Sequence, residues 1–281
     1  MTQQQTANEP GTVGVDVGGT FVVTDGAHRF GDRVAVVTGA AGGIGQAVAE
    51  RFVAEGATVY ALDLHQDRLD ATWAAVPQVT TIAVDVGDSA QVRAAFDRVR
   101  TEQGRVDALV TAAGISDAPW RSDPAIGGSP EPESIDDDAW DLVIRVNLTG
   151  TFYCVRATLP LIREAGARGG AVVTISSVGA LAPYPLPAAY PASKAGVLGM
   201  TRAIAALVGK ENIRINAVAP AATRTDMLPK DEALLDSMVQ LQPIPRVVPA
   251  SEMAATIVYL CTQEAQFITG QTLNVNGGMV M

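Results

Sequence analysis

The run Arg33-Val-Ala-Val-Val-Thr38, followed without a break by Gly39-Ala-Ala-Gly42-Gly43-Ile44-Gly45, decides how the rest of this chain is read. A short apolar run rich in valine is the composition of a strand covered on both faces, and a turn dense in glycine cannot continue it. A helical pattern then runs from Gln46 to Ala54, with Gly56 just past its end as a stop signal. Strand, turn and helix in that order aim a helix N-terminus, with its unpaired amides and positive dipole end, at whatever lies above the strand. A pyrophosphate fits there. Many glycine turns merely reverse the chain, so it is the order of the three pieces that gives this one weight.

The alternation repeats toward the C-terminus, which is the signature of βαβ units and a parallel sheet. A second strand, Ala57 to Leu62, ends in Asp63, eighteen residues after Gly45. A carboxylate at about that distance suits the hydroxyls of an adenosine ribose and repels a 2′-phosphate, which favours NAD over NADP. Neither Leu64, His65, Ala41 nor Gly42 offers a cation for such a phosphate. The alternative for Asp63 is an N-cap of the next helix. A third strand, Thr80 to Val84, ends in Asp85-Val86, and a helix with Ser89 as its N-cap runs to about Glu102. The fourth strand, Asp107 to Thr111, leads into Ala112-Ala113-Gly114. Residues 116–134, dense in Pro, Gly and Asp around Trp120, form an irregular loop at the rim of the site. Ser134 caps a helix with Asp136, Asp137 and Asp138 in its first turn, a solvated helix start rather than a metal site. That helix continues toward Ile162. Asn147 lies inside its apolar pattern, so a buried amide must find partners there.

A fifth strand, Gly170 to Ser177, ends in two serines, and a loop joins it to Ala189-Tyr190-Pro191-Ala192-Ser193-Lys194. Tyr190 and Lys194, four positions apart, share one helix face, and Pro191 puts the tyrosine in the first turn. A phenol titrates near ~10, and a fixed cation beside it favours the phenolate, so the pair can exchange protons with an alcohol or carbonyl. A sixth strand, Ile213 to Val218, leads to Ala219-Pro220-Ala221-Ala222-Thr223-Arg224-Thr225. Residues 226–246 have the composition of a lid, and a helix (Ser251 to Cys261) and a last strand (Gln271 to Val275) precede Gly277-Gly278. Val178, Leu181, Tyr184, Leu186, Met227, Leu228 and Trp120 form an apolar pocket wall, which suits a hydrophobic substrate of modest size.

Composition narrows the function classes. The chain has 281 residues, 48% hydrophobic and 18% charged, enough for a sizeable core. Its net charge of −10 and the absence of a Lys/Arg cluster argue against nucleic acid. No apolar stretch approaches the ~20 residues of a membrane helix, and the N-terminus lacks a signal pattern, so a cytoplasmic protein is expected. Two histidines make His-rich metal chemistry improbable, and Cys154 and Cys261 read as buried thiols rather than a disulfide. Residues 1–31 form an extension. Its Gly14-Val-Asp16-Val-Gly18-Gly19-Thr20-Phe21 resembles the phosphate loop of sugar-kinase ATPases, but that fold needs a far longer domain, and a short arm or hairpin is the expectation.

Taken together, TGAAGGIG, the acidic end of the second strand, DV at 85, VNLTG around Asn147, ISS, YPASK and NVNGG resemble the short-chain dehydrogenase/reductase family over residues 32–278. The resemblance implies a single-domain α/β fold over residues 32–281, a doubly wound and mostly parallel Rossmann sheet of about seven strands. It makes Tyr190 the acid/base, Lys194 its pKa-lowering neighbour and a holder of the nicotinamide ribose, Ser177 rather than Ser176 the donor to the substrate oxygen, and Asn147 the anchor of a water. It places Gly39, Gly42 and Ile44 at the pyrophosphate, Asp63 and Leu64 at the ribose, Asp85 and Val86 at the adenine, Ala112 along the cofactor, and Thr223 and Thr225 at the carboxamide. The function it implies is hydride transfer between NAD(H) and a secondary alcohol or ketone, in a homotetramer or dimer. An NADPH-dependent 3-oxoacyl thioester reductase of fatty-acid type and a non-catalytic dinucleotide sensor are the alternatives. Two departures from the family pattern stand out. Thr111-Ala112-Ala113-Gly114 replaces Asn-Asn-Ala-Gly and predicts lower local stability, and Pro220-Ala221 replaces Pro-Gly, which bears on the threonine contacts.

Overall fold

The computed structural model describes residues 28–118, 131–183 and 187–281, together with a two-stranded antiparallel hairpin of β1 (Val13–Val15) and β2 (Phe21–Val23). This hairpin falls within residues 1–31, while Asp16 to Thr20 between its strands lie outside the described residues. Seven strands make the main sheet: β3 (Val34–Thr38), β4 (Thr58–Asp63), β5 (Val79–Ala83), β6 (Ala108–Thr111), β7 (Gly170–Ile175), β8 (Ile213–Pro220) and β9 (Thr272–Val275). All neighbours are parallel, in the order β5-β4-β3-β6-β7-β8-β9. The chain order reverses direction between β3 and β6, and such a switch opens a crevice at the carboxyl ends of the strands.

Among the described residues, eight α-helices cover the sheet: α1 (Gly43–Ala54), α2 (Gln66–Trp73), α3 (Ser89–Gln103), α4 (Asp137–Ile144), α5 (Thr151–Glu164), α6 (Ala189–Val208), α7 (Glu232–Val239) and α8 (Ala250–Cys261). Side chains alternate across a strand, so the continuous apolar run of β3 feeds two cores at once. Ala35 and Val37 pack with Phe52, Leu69 and Met253 of α1, α2 and α8, whereas Val34 and Val36 pack with Phe96, Leu161 and Val208 of α3, α5 and α6. Burial on both faces is why these strands are valine-rich throughout.

Helix starts differ from the sequence reading in two places. Asp88, not Ser89, caps α3, its carboxylate accepting from the amides of Ala90 and Gln91. Asp136, not Ser134, caps α4, because Ser134 belongs to a preceding 3-10 turn, Pro132–Ser134. In both cases a carboxylate accepts from first-turn amides, and its charge adds a favourable interaction with the dipole that a neutral serine lacks. Between α4 and α5 the helix widens into a π segment, Arg145–Gly150, with Asn147 within it. Such bulges are frequent at functional sites.

Candidate active site

The carboxyl ends of β3, β4, β6, β7 and β8 open into a cleft of about 500 Å³. At one end lies the glycine turn. Gly39 has φ +67, and a Cβ on it would sit 2.8 Å from the Ala113 amide nitrogen, so the turn presses directly against the end of β6. A Cβ on Gly45 would overlap the Gly39 carbonyl, so only glycine lets α1 start this close to its strand. The N-cap of α1, Gly42, provides no side-chain bond. The first-turn amides are therefore left without a side-chain partner beside the cleft.

Asp63 stands at the end of β4, and Oδ2 accepts the Ala41 amide at 3.1 Å. It is not an N-cap, since that position of α2 belongs to His65. Ile44, Leu64, Val86 and Ala112 all line the cleft, and Leu64 is 57% exposed there. Asp85 also lines it, with Oδ2 paired to Arg145 at 2.9 Å and Oδ1 accepting the Gly87 amide. The sequence reading found no cation near the adenosine end, and the structure corrects this. Arg68, in the first turn of α2, folds back over the cleft, so that a Cβ on Gly42 would lie 3.1 Å from its Nη2, and it pairs with Asp226 at 3.6 Å. The signal was available in principle, because one turn of helix is enough to return a long side chain to the strand end that precedes it.

At the other end the sequence-predicted residues converge. Tyr190, Lys194, Ser177, Thr223 and Thr225 line the same cleft as the glycine turn. Lys194 is 4% exposed; its Nζ lies 5.7 Å from the centroid of the Tyr190 ring and donates to the Ile175 carbonyl at 3.0 Å. Ser177 is hydrogen-bonded to the Tyr190 phenol, while Ser176 is buried with its hydroxyl donating to the Lys194 carbonyl. The two serines are thus separated by position, one facing the cleft and one bracing α6. The Asn147 amide accepts from the Ile115 N–H and donates to the Ile115 carbonyl and Ser193 Oγ. A Cβ on Gly114 would sit 3.2 Å from Asn147 Oδ1 and 3.3 Å from Lys194 Nζ, so a glycine keeps the space between amide and ammonium clear.

Electrostatics here differ from the simple cation-beside-phenol expectation. Burial pushes Tyr190 above the ordinary phenol value, the Ser177 bond opposes that, and Asp117 adds to it. Burial also drives Lys194 down to about 8. The ammonium lies 5.7 Å from the ring centroid, and desolvation is the largest influence on the phenol. The consequence for stability has a definite sign. Between about 8 and 10.5 the unfolded chain holds the lysine proton and the folded chain does not, so this group makes stability rise with pH across that window. Relative to Lys194→Met, wild type is expected to gain about 1 kcal/mol per pH unit from pH 8 upward in denaturant titrations. A difference that is flat with pH would contradict it.

The loop after β8 closes the cleft. Thr223 Oγ1 donates to the Ala221 carbonyl, Thr225 Oγ1 accepts the Met227 amide, and a Cβ on Gly43 would lie 2.9 Å from Thr225 Cγ2. Having Ala221 in place of glycine therefore leaves both threonines in the cleft. Thr111, in the other departure, buries a hydroxyl without a hydrogen-bond partner. Val178, Met227 and Leu228 line the cleft, whereas Leu181 is 36% exposed and does not; Trp120, Tyr184 and Leu186 lie outside the described residues. Met238, Gln242 and Met279, which the sequence did not single out, join the wall. The double glycine after β9 was the available sign. Gly277 has φ +63 and its carbonyl accepts the Ile244 amide, which turns Met279 back into the site.

These residues fit a dinucleotide: a turn with no room for a Cβ, an uncapped helix N-terminus, and a strand-end carboxylate with one oxygen left over, all on one cleft. Outside it, Cys154 and Cys261 are free thiols, and burial pushes the Cys154 thiol up to about 12. No described helix is long and apolar enough to cross a membrane.

Comparison with known proteins agrees with the geometry. The family model described as "Enoyl-(Acyl carrier protein) reductase" matches residues 39–280. A 2-dehydro-3-deoxy-L-rhamnonate dehydrogenase (NAD(+)) from Sphingomonas sp. is 34% identical over 90% of this chain and 97% of its own length. The 3-oxoacyl-[acyl-carrier-protein] reductase FabG of Thermotoga maritima is also 34% identical, over 90% of this chain and 100% of its own. The crystal structure of levodione reductase superposes with a TM-score of 0.79 at 33% identity, covering 89% of this chain and 98% of that one.

Proposed function

Because this chain belongs to the short-chain dehydrogenase/reductase family, we propose that it is an NAD(H)-dependent oxidoreductase that interconverts a secondary alcohol and its ketone. The observation that carries the reading is the convergence of Ser177, Tyr190 and Lys194 on the cleft that also holds the glycine turn and Asp63. Gly39, Gly42 and Ile44 would hold the pyrophosphate, Asp63 and Leu64 the ribose, Asp85, Val86 and Ala112 the adenine side, and Thr223 and Thr225 the carboxamide. When bound, the nicotinamide supplies or accepts the hydride.

The chain's own residues handle the proton. Tyr190 Oη donates a proton to the carbonyl oxygen in reduction and removes it from the hydroxyl in oxidation. Ser177 Oγ holds the same oxygen in line. The part of Lys194 is to hold the ribose and, by giving up a proton and then regaining one, to relay the proton that Tyr190 must exchange. Asn147, across the space that Gly114 leaves open, connects that ammonium onward. The apolar wall of Val178, Met227, Leu228, Met238 and Met279 suits a substrate with a hydrophobic body. Mixing the protein with NAD and a panel of secondary alcohols, and following nicotinamide absorbance, tests the reading. No turnover with any of them, or turnover with NADP alone, would sink it.

Asp63 is the ground for choosing NAD, and Arg68 is its counterweight. Asp63→Ser is expected to move the ratio of kcat/KM values toward NADP by about tenfold or more, because a like-charge clash is removed and a guanidinium already stands at Gly42. An unchanged ratio would remove Asp63 from cofactor choice. The same Arg68, with the FabG relative, gives the 3-oxoacyl thioester reductase as a second reading. A strong preference for NADPH and an acetoacetyl thioester would select it. We further infer a cytoplasmic protein assembled as a homotetramer or dimer; the exposed aromatic rings of Trp140, Phe152 and Phe267 support the assembly.

A further inference from the structure

Arg145 opens the π segment two residues before Asn147 and does not itself line the cleft. Its guanidinium nevertheless reaches Asp85, 60 residues away in sequence, where Nη1 donates to Oδ2 at 2.9 Å. Gly87 makes room for it. A Cβ there would lie 2.5 Å from Arg145 Nη1 and 3.0 Å from its Cγ, so the arginine passes directly over the glycine. With side chains 46% and 28% exposed, such a pair contributes little to stability, and its main effect is on where the carboxylate points.

Asp85 is fixed through both its backbone and its side chain. Its Oδ1 accepts the Gly87 amide at 2.8 Å, its own amide donates to Gln91 Oε1 at 3.0 Å, and its carbonyl accepts the Asp88 amide. A carboxylate offers about four lone-pair sites, so two bonds leave acceptor capacity over, and Asp85 lines the cleft. The strand order says what would meet it. From the glycine turn on β3 the sheet runs outward through β4, which ends in Asp63, to β5, where Asp63 is level with Ala83. Asp85 stands two residues further on. Ser177, bonded to the Tyr190 phenol, follows β7 on the other side of β3. A dinucleotide with its pyrophosphate on the turn and one ribose at Asp63 therefore brings the base of that ribose, the adenine, beside Asp85.

We propose that Arg145 is a positioning residue for cofactor recognition: by holding Oδ2 it turns the remaining acceptor sites of Asp85 into the cleft, where they select a base that carries an exocyclic amino group. This rests on the dinucleotide reading of the cleft. Adenine presents at its 6-position an amino group that donates, and a carboxylate accepts, so the two match. Hypoxanthine carries a carbonyl oxygen at the same position, which would face Asp85 acceptor to acceptor. The same contact ties the base end of the cleft to the proton-transfer end. A Cβ on Gly150 would lie 2.9 Å from Val86 Cγ2 and 3.1 Å from the Val86 carbonyl carbon, so the π segment presses on residues 85–87 at both its ends. Asn147 lies between the two contacts.

Binding of NADH and of its hypoxanthine analogue, each followed by quenching of protein fluorescence, tests this without turnover. Wild type is expected to bind NADH about tenfold or more tighter than the analogue, because a donor facing a charged acceptor is exchanged for two facing acceptors. Arg145→Met should weaken NADH binding by about fivefold or more and that of the analogue by less than about twofold, so that the preference shrinks. Should the methionine variant not fold cooperatively, Arg145→Gln, whose shorter neutral side chain cannot form the charged pair, makes the same prediction. Equal losses for both dinucleotides would mark the pair as merely structural and overturn the proposal, as would an unchanged preference. Tighter NADH binding in the variant would show that the arginine competes with the base for Asp85, and would overturn it too. Wild type that binds neither dinucleotide would remove the cofactor reading itself, and this proposal with it.

Discussion

Tyr190→Phe is expected to lower kcat by about 10²–10⁴-fold, the range that a single positioned acid/base contributes, while NADH binding stays within about twofold of wild type. The phenol is half-buried and bonded to Ser177, so losing its hydroxyl removes one hydrogen bond and a proton but little packing. The ring remains to carry the Lys194 stem and ammonium. Steady-state kinetics and quenching of protein fluorescence by NADH separate the two quantities. If the variant kept its rate within a few fold, some other group would be moving the proton, and the assignment of Ser177 and Lys194 would fall with it.

The second large effect concerns the turn. Gly45→Val places a branched side chain where even a Cβ overlaps the Gly39 carbonyl. The neighbour is backbone and cannot swing aside as a flexible side chain could, so strand and helix must separate. Overpacking of this kind costs about 1–3 kcal/mol, and the displaced turn should weaken NADH binding by about tenfold or more. Gly199, on the exposed face of α6 with nothing within 4 Å, is the matched control. Gly199→Ala should leave binding alone and stabilise the helix by about 0.5–1 kcal/mol. Equal losses of binding in both variants would show that the turn is not special.

Much of this is legible one-dimensionally. The β3 run, its glycine turn and the α1 pattern are contiguous, so their order in sequence is their order in space. Tyr190 and Lys194 are one helical turn apart, so the shared face needs no tertiary information. Asp63 ends a strand and Asp85 and Ser177 each follow one by two residues, and strand ends in a parallel sheet collect on one edge whatever their separation along the chain. Sequence reasoning misplaces the starts of α3 and α4 by one or two residues, because serine and aspartate both read as caps and only the local backbone decides between them.

Sequence by itself determined the alternation of strand and helix, the switch-point cleft and the residues that meet there, because each follows from periodicity or from a spacing of a few residues. Only the tertiary structure decided which way the phenol is pushed. That depends first on burial, then on the Ser177 bond, and on the charge of Asp117, which comes from the loop after β6 far away in sequence. Arg68 belongs with these, since its place above Gly42 is set by how α2 lies across the end of β4. Electrostatic effects fall off with distance through space and with access to water, and neither quantity is written along the chain.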